Sequence, residues 1–155
     1  MMRMGNQWLK LGGILSFAVA LLHVVIIFVG VSAYRYFGAG EDMATAAESS
    51  SAFPAVLTFV LVAMFAIWGF YGLSGAGVVR RLPLLKLALI LIGAVYTLRG
   101  VAVFQQLLQV VTSSAEVAPR EIVFSLVSLV IGLAYLTGTI SNWSGLGASN
   151  HTAQT

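Results

Sequence analysis

The sequence contains an apolar stretch, Pro83 to Gln109, in which Lys86 marks one end and Arg99 is the single formal charge beyond it. About 20 consecutive apolar residues are enough to cross a bilayer as a helix. Hydrophobic residues make up 59% of the chain and charged residues 8%, whereas soluble domains carry roughly 25% charged residues. The stretch and the composition together predict an integral membrane protein.

Four stretches reach membrane-spanning length, and we place them at about 11–33, 53–73, 84–108 and 122–142. We therefore expect an all-α fold, a bundle of four transmembrane helices that forms one domain over 1–143. The small, polar tail 144–155 is expected to be disordered and cytoplasmic. A cleavable signal peptide is the alternative for the first stretch, because Val31-Ser32-Ala33 resembles a cleavage site. The apolar run is, however, longer than the usual signal core of about 7–15 residues.

The segment after the first span begins with Tyr34-Arg35-Tyr36-Phe37, whose aromatic rings are typical of a membrane interface. Glu41 to Ser50 then has acids at its start, which favours a short surface helix; a flexible loop is the alternative. If this segment covers the outer mouth of the bundle, Glu41 or Asp42 lies close enough to pair with Arg99.

The distribution of Lys and Arg predicts the orientation, because cytoplasmic loops are enriched in these residues. One side of the predicted membrane carries Arg3, Lys10, Arg80, Arg81 and Lys86. The other side carries only Arg35 and Arg120, together with the five acids. We expect a multi-pass protein with both termini in the cytoplasm.

Three spans place a polar side chain at a similar depth. His23 and Arg99 each lie 13 residues beyond the boundary residues Lys10 and Lys86, which is about 20 Å at about 1.5 Å per residue. Ser128 lies about 10 Å from the opposite boundary of a core about 30 Å thick, which is the same level. Tyr96 precedes Arg99 by three residues and shares its helix face. These residues are our candidate ligand-binding residues.

Each candidate also has a purely structural interpretation. Arg99 can extend its side chain to the membrane surface, since an arginine at the centre of a bilayer otherwise costs from about 2.5 to above 10 kcal/mol. His23 can donate to a neighbouring carbonyl. Ser128, like Ser16 and Ser125, can serve only to let helices pack closely.

Several kinds of chemistry are poorly supported by the sequence. The chain has no cysteine, and the only histidine besides His23 is His151 in the tail, so the usual two-histidine haem ligation within one chain is excluded. No span holds the carboxylates or second histidine that a metal site needs, and the cations form no patch suited to nucleic acid. We predict no metal site and no nucleic-acid partner, and we assign no cofactor.

The string Ala33-Tyr34-Arg35-Tyr36-Phe37-Gly38-Ala39, followed in the third span by Leu98-Arg99-Gly100, resembles small bacterial four-helix membrane proteins of the DoxX-like kind. The resemblance covers the four-span layout of roughly 130 residues. It implies a bacterial inner-membrane protein, often without an assigned activity, and it supplies no catalytic residues.

Three functions remain open from the sequence. The first is a binding or accessory protein that holds an anionic or quinone-like amphiphile, a membrane lipid or a quinone, beside Arg99 and His23. The second is an enzyme on a lipid-soluble substrate with His23 in proton transfer, although no span offers a second acid or base. The third is a structural subunit of a homo-oligomer or larger complex. A proton-coupled exporter is disfavoured, because it usually needs a membrane carboxylate.

Overall fold

The structure is a computed structural model that describes residues 4–113 and 116–147, in which every regular element is helical. In chain order the helices are α1 (Met4–Val29), α2 (Val31–Tyr36), α3 (Glu41–Glu48), α4 (Phe53–Gly75), α5 (Leu85–Val111) and α6 (Pro119–Ser141), followed by a 3-10 turn at Gly145–Gly147. Four of them, α1, α4, α5 and α6, are long and apolar enough to cross a membrane. The predicted all-α class with four membrane-length helices is confirmed.

The helix ends differ from the predicted bounds by up to two turns. α1 begins at Met4 instead of near Leu11, and its first turns are packed, since Leu9 is fully buried. α1 ends at Val29, because the next residue, Gly30, has a φ of 73°, outside the helical region. α6 begins at Pro119, in the first helical turn, where a missing N–H costs nothing. Of the tail predicted to be disordered, 145–147 form the 3-10 turn, and 148–155 lie outside the described residues.

The chain divides into two compact units. In its described part, the first unit comprises 4–14, 70–113 and 116–147, which are the start of α1, the end of α4, and all of α5 and α6. The second unit is Leu15–Gly69 and holds the rest of α1 and α4 together with α2 and α3. Both boundaries fall inside long helices.

In the first unit, α5 and α6 pack antiparallel at very short range. A Cβ atom added to Gly100 would lie 2.5 Å from the Cα of Leu129, and one added to Gly132 would lie 2.5 Å from the backbone nitrogen of Thr97. Backbones approach this closely only where side chains are absent, which is the usual means of helix association in lipid. The glycines therefore fix the register of the helix pair.

The core of the first unit is centred on Tyr135, which is fully buried. Its ring stacks on Tyr96 with a centroid distance of 6.2 Å and an interplanar angle of 9°. On α1, a Cβ at Gly12 would lie 3.0 Å from the same ring, and on α4 a Cβ at Gly72 would lie 2.9 Å from its hydroxyl. One side chain on α6 thus contacts three other helices of the unit, two of them at glycines.

The second unit contains a small apolar cluster formed by Ile26, Ala33, Tyr34 and Ala44. It joins the end of α1 to α2 and α3. Helix α3, for which the sequence left a helix and a loop open, is a helix, and its first turn carries two acids that complement the helix dipole. Helix α3 packs on this cluster through the face that carries Ala44, which is fully buried.

Candidate functional site

Arg99 lies close to the middle of α5. It follows Leu85, the first residue of the helix, by 14 residues and precedes Val111, the last, by 12. At about 1.5 Å per residue it is about 20 Å from either end. The side chain is exposed on the protein surface, so the guanidinium lies at the edge of the packed region and not within it.

The near partner of Arg99 is a hydroxyl. Its Nη1 donates to the Oγ of Ser125 on α6 at 3.4 Å. This is longer than the donor–acceptor distance of about 2.7–3.2 Å that is usual for N–H···O hydrogen bonds. In the part of the first unit that the structure describes, no carboxylate forms an ion pair with Arg99. A neutral hydroxyl at this distance positions the guanidinium but does not neutralise it.

The helix face predicted to carry the site is partly buried. Tyr96 and Val103, one turn to either side of Arg99, are 4% and 5% exposed. Further along the same face, the Oε1 atom of Gln106 is buried and accepts no hydrogen bond from any described residue. An unpaired buried carbonyl oxygen costs about 1–3 kcal/mol. The face therefore presents an exposed cation and a buried acceptor, separated by seven residues or about 10 Å.

Ser125, and not the predicted Ser128, is the serine beside Arg99. Ser128 is half-buried, and its hydroxyl donates to the carbonyl of Phe124 in its own helix at 2.8 Å. Ser125 is fully buried. The sequence interpretation treated Ser125 as a packing residue, although its position on the same α6 face as Ser128 was a signal for its role.

His23 belongs to the second unit, whereas Tyr96, Arg99 and Ser128 belong to the first. Its Nδ1 lies 2.8 Å from the carbonyl oxygen of Val19, one turn earlier in α1, so the ring donates to its own helix. The ring also packs against Phe65 at a centroid distance of 5.0 Å. This is the structural role that a lone membrane histidine can play, and a cavity shared with Arg99 stays a prediction.

Glu41 has a counter-ion within its own unit. Arg35 Nη2 lies 2.9 Å from the carboxylate of Glu41 and 2.7 Å from that of Glu48. Hydrogen bonds to Glu41 and then Glu48 raise the pKa of the Arg35 guanidinium above its ordinary value. Glu41, one of the two acids expected to pair with Arg99, is thus paired with Arg35. That segment 41–50 covers the outer mouth of the bundle beside Arg99 stays a prediction.

Four apolar helices of membrane-spanning length indicate a small multi-pass membrane protein. Comparisons with protein-family models, with curated proteins and with solved structures find no match to the chain. Among the described residues, no group of three or more His, Asp or Glu side chains is arranged to hold a metal ion. Any functional assignment must therefore come from the geometry around Arg99.

Proposed function

We propose that this protein binds an anionic or quinone-like amphiphile in the membrane, against the α5–α6 pair, with Arg99 as the recognising group. The observation that carries the proposal is an exposed guanidinium at mid-helix whose near partner is a neutral hydroxyl at 3.4 Å. The role is that of a binding or accessory protein. The site consists of Arg99 and Ser125, with Tyr96 beneath them and Gln106 further along α5.

The energetics favour an anionic partner. A cation near the centre of a bilayer costs at least about 2.5 kcal/mol unless it is paired or hydrated. Charge-assisted hydrogen bonds are roughly twice as strong as neutral ones, and the planar fork of arginine can bind a carboxylate or phosphate through two of them. A polarised carbonyl, as in a quinone, can accept the same donors. An amphiphile also brings apolar chains that match the lipid-facing surface.

Gln106 adds a second requirement on the ligand. Its buried Oε1 needs a hydrogen-bond donor, and it lies about 10 Å along α5 from Arg99. A head group that combines an acceptor for Arg99 with a hydroxyl or amide donor satisfies both positions. This pattern favours a polar lipid or a hydroxylated ring over a simple fatty acid.

For the cellular setting, we propose a bacterial inner membrane with both termini in the cytoplasm and the DoxX-like kinship described above. The excess of Lys and Arg at the end where α5 begins supports the orientation, and the sequence resemblance is the ground for the bacterial inner membrane. Reporter fusions after Ser50 and at the C-terminus test the orientation, and an outside C-terminus contradicts it.

The proposal is tested by mass spectrometry of lipids and quinones that co-purify with the detergent-extracted protein. Arg99→Leu removes the charge, and Arg99→Lys keeps it but cannot form the bidentate contact. We expect both variants to lose bound ligand by about tenfold or more, since a hydrogen bond to a charged group contributes about 1.5–3 kcal/mol. The fold should survive, because replacing Arg99 by leucine removes the cost of placing a charge in lipid.

Two serine variants provide a matched pair. Ser125→Ala removes the hydroxyl beside Arg99, whereas Ser128→Ala removes one that donates only within α6. We expect Ser125→Ala to weaken ligand retention and Ser128→Ala to leave it unchanged. Identical ligand profiles from the wild type and Arg99→Leu would refute the binding proposal and favour a structural role, in an oligomer or larger complex. Conversion of a lipid-soluble substrate that is lost in variants of His23 would favour an enzyme.

A further inference from the structure

The imidazole of His23 carries an acceptor nitrogen that its own helix does not use. Its Nδ1 lies 2.8 Å from the carbonyl oxygen of Val19, and because a carbonyl oxygen can only accept, Nδ1 holds the proton. In a neutral imidazole the other ring nitrogen, Nε2, is then an acceptor. No described residue donates a hydrogen bond to Nε2. The bond to Val19 therefore fixes Nε2 as an acceptor whose donor must come from outside the described part of the chain.

The depth of His23 in α1 places this acceptor among lipid chains. His23 follows Met4 by 19 residues and precedes Val29 by six, so it lies about 10 Å from the midpoint of the helix at about 1.5 Å per residue. With the helix centred in the bilayer, a hydrocarbon core about 30 Å thick extends about 15 Å to either side. Hydrocarbon donates no hydrogen bonds, so an acceptor at this level gains from any ligand that brings a donor.

Aromatic rings surround the imidazole. Its ring centroid lies 5.0 Å from that of Phe65 at an interplanar angle of 43°, and Phe65 meets Trp68 edge to face at 5.4 Å. All three residues are half-buried, so they reach the surface of the second unit. In the part of the chain that the structure describes, the buried polar atoms without a partner belong to Thr97 and Gln106. Nε2 of His23 therefore keeps exposed surface that a ligand can reach.

Two kinds of partner suit a free imidazole nitrogen, a metal ion and a hydrogen-bond donor. A metal ion needs further ligands, and the described residues hold no group of three or more His, Asp or Glu side chains arranged for one. The neighbouring rings favour a donor that is itself aromatic, because aromatic pairs stabilise each other beyond the area they bury. A phenolic hydroxyl combines a donor and a ring in one group.

We infer that His23 binds an amphiphile with an aromatic hydroxyl, a phenol or a hydroquinone, whose O–H donates to Nε2 and whose ring packs beside Phe65 and Trp68. This site belongs to the second unit, whereas Arg99 belongs to the first, and it does not rest on the function proposed for Arg99. The two sites select opposite groups, since Arg99 offers donors and His23 offers an acceptor. A quinone carries only acceptor oxygens, so His23 binds the reduced ring and not the oxidised one.

The first test is ¹⁵N NMR of the full chain, labelled at histidine and reconstituted in phosphatidylcholine nanodiscs. Phosphatidylcholine is chosen because it has no O–H or N–H group that could occupy the acceptor. The sequence has one other histidine, His151, and His151→Gln removes its signals. Without ligand, Nε2 of His23 should resonate as an unprotonated nitrogen and Nδ1 as a protonated one. A protonated Nε2 would overturn the acceptor assignment.

The probe is para-decylphenol, and its control is para-decylanisole, which has the same ring and chain but a methyl group in place of the hydroxyl proton. We expect only the phenol to shift the Nε2 signal of His23 upfield. Native mass spectrometry should show that the phenol binds about fivefold more tightly than the anisole, since one neutral hydrogen bond contributes about that factor. Equal affinities, or equal shifts with the two compounds, would overturn the site.

His23→Phe removes the acceptor but keeps an aromatic ring against Phe65. We expect this variant to bind the phenol no more tightly than the anisole, and a preference that persists would contradict the role of His23. If the variant fails to fold, the comparison of the two compounds on the wild type still decides. Arg99→Leu should leave the preference unchanged, because Arg99 lies in the other unit. Its loss in Arg99→Leu would overturn the separation of the two sites.

Discussion

Gly100→Ala should separate α5 from α6. A Cβ at Gly100 would lie 2.5 Å from the Cα of Leu129, whereas carbon atoms in contact are about 3.5 Å apart. The difference, 3.5 − 2.5, requires a displacement of about 1 Å. Because the obstacle is backbone, no rotamer change can supply it, so the helices themselves must move.

The expected cost follows from two opposing terms. Overpacking of a tightly packed interface costs typically about 1–3 kcal/mol, and the backbone contact places Gly100→Ala at the upper end. Alanine is favoured over glycine in a helix interior by about 1 kcal/mol. We therefore expect Gly100→Ala to lower the free energy of unfolding by about 2 kcal/mol.

Gly93→Ala is the matched control, since it is the same substitution on the same helix and against the same partner helix. A Cβ there would lie 2.8 Å from the Cδ2 and 2.9 Å from the Cγ of Leu136, and 3.2 Å from the Cβ of Tyr135, so the close atoms belong to side chains and not to the backbone. An off-rotamer leucine costs about 0.5–1.5 kcal/mol, which the gain in helix propensity offsets in part, so we expect a smaller loss than for Gly100→Ala. Unfolding by SDS in mixed micelles, followed by circular dichroism, measures both variants. If they unfold at the same SDS concentration, the α5–α6 register described here is wrong.

Three further predictions concern other parts of the two units. Tyr135→Ala should destabilise the protein by about 3–5 kcal/mol because it empties the centre of the first unit, whereas Phe104→Ala, at a side chain that is 63% exposed, should have little effect on the SDS midpoint. Ala44→Asp should expose 41–48 to hydrogen exchange, since it places a carboxylate at a fully buried position. Ser74→Ala should destabilise the α4–α5 connection by about 1–3 kcal/mol, seen as faster proteolysis there, because two hydrogen bonds are lost.

The four long helices could be predicted because the bilayer imposes a length and a composition that are visible in the sequence. Their ends were less predictable. The sequence interpretation began the first helix near Leu11, since it counted only the continuous apolar run, but the structure packs Leu9 against Gly138 and so extends α1 to Met4. Contacts between residues far apart in the chain decide such ends.

The structure places Ser125 beside Arg99, whereas the sequence interpretation chose Ser128, and the cause is similar. The depth argument counted seven residues from the boundary charge Glu121 and so selected Ser128, whereas the serine that Arg99 contacts is Ser125, three residues closer to the start of α6. What sets the partner of Arg99 is the register of α5 on α6, which is fixed by Gly100 and Gly132 and cannot be read from boundary charges.

The mid-helix position of Arg99 gives its site an electrical property. A residue about 20 Å from both ends of a membrane-length helix lies roughly halfway through the transmembrane potential. One elementary charge that crosses the full field gains or loses about 2.3 kcal/mol per 100 mV, so a monovalent anion that reaches Arg99 crosses about half of it, or about 1.2 kcal/mol per 100 mV. Its affinity then changes by roughly sevenfold per 100 mV. An uncharged ligand at the same arginine does not respond to voltage, which makes membrane potential a direct means of distinguishing an anionic amphiphile from a quinone.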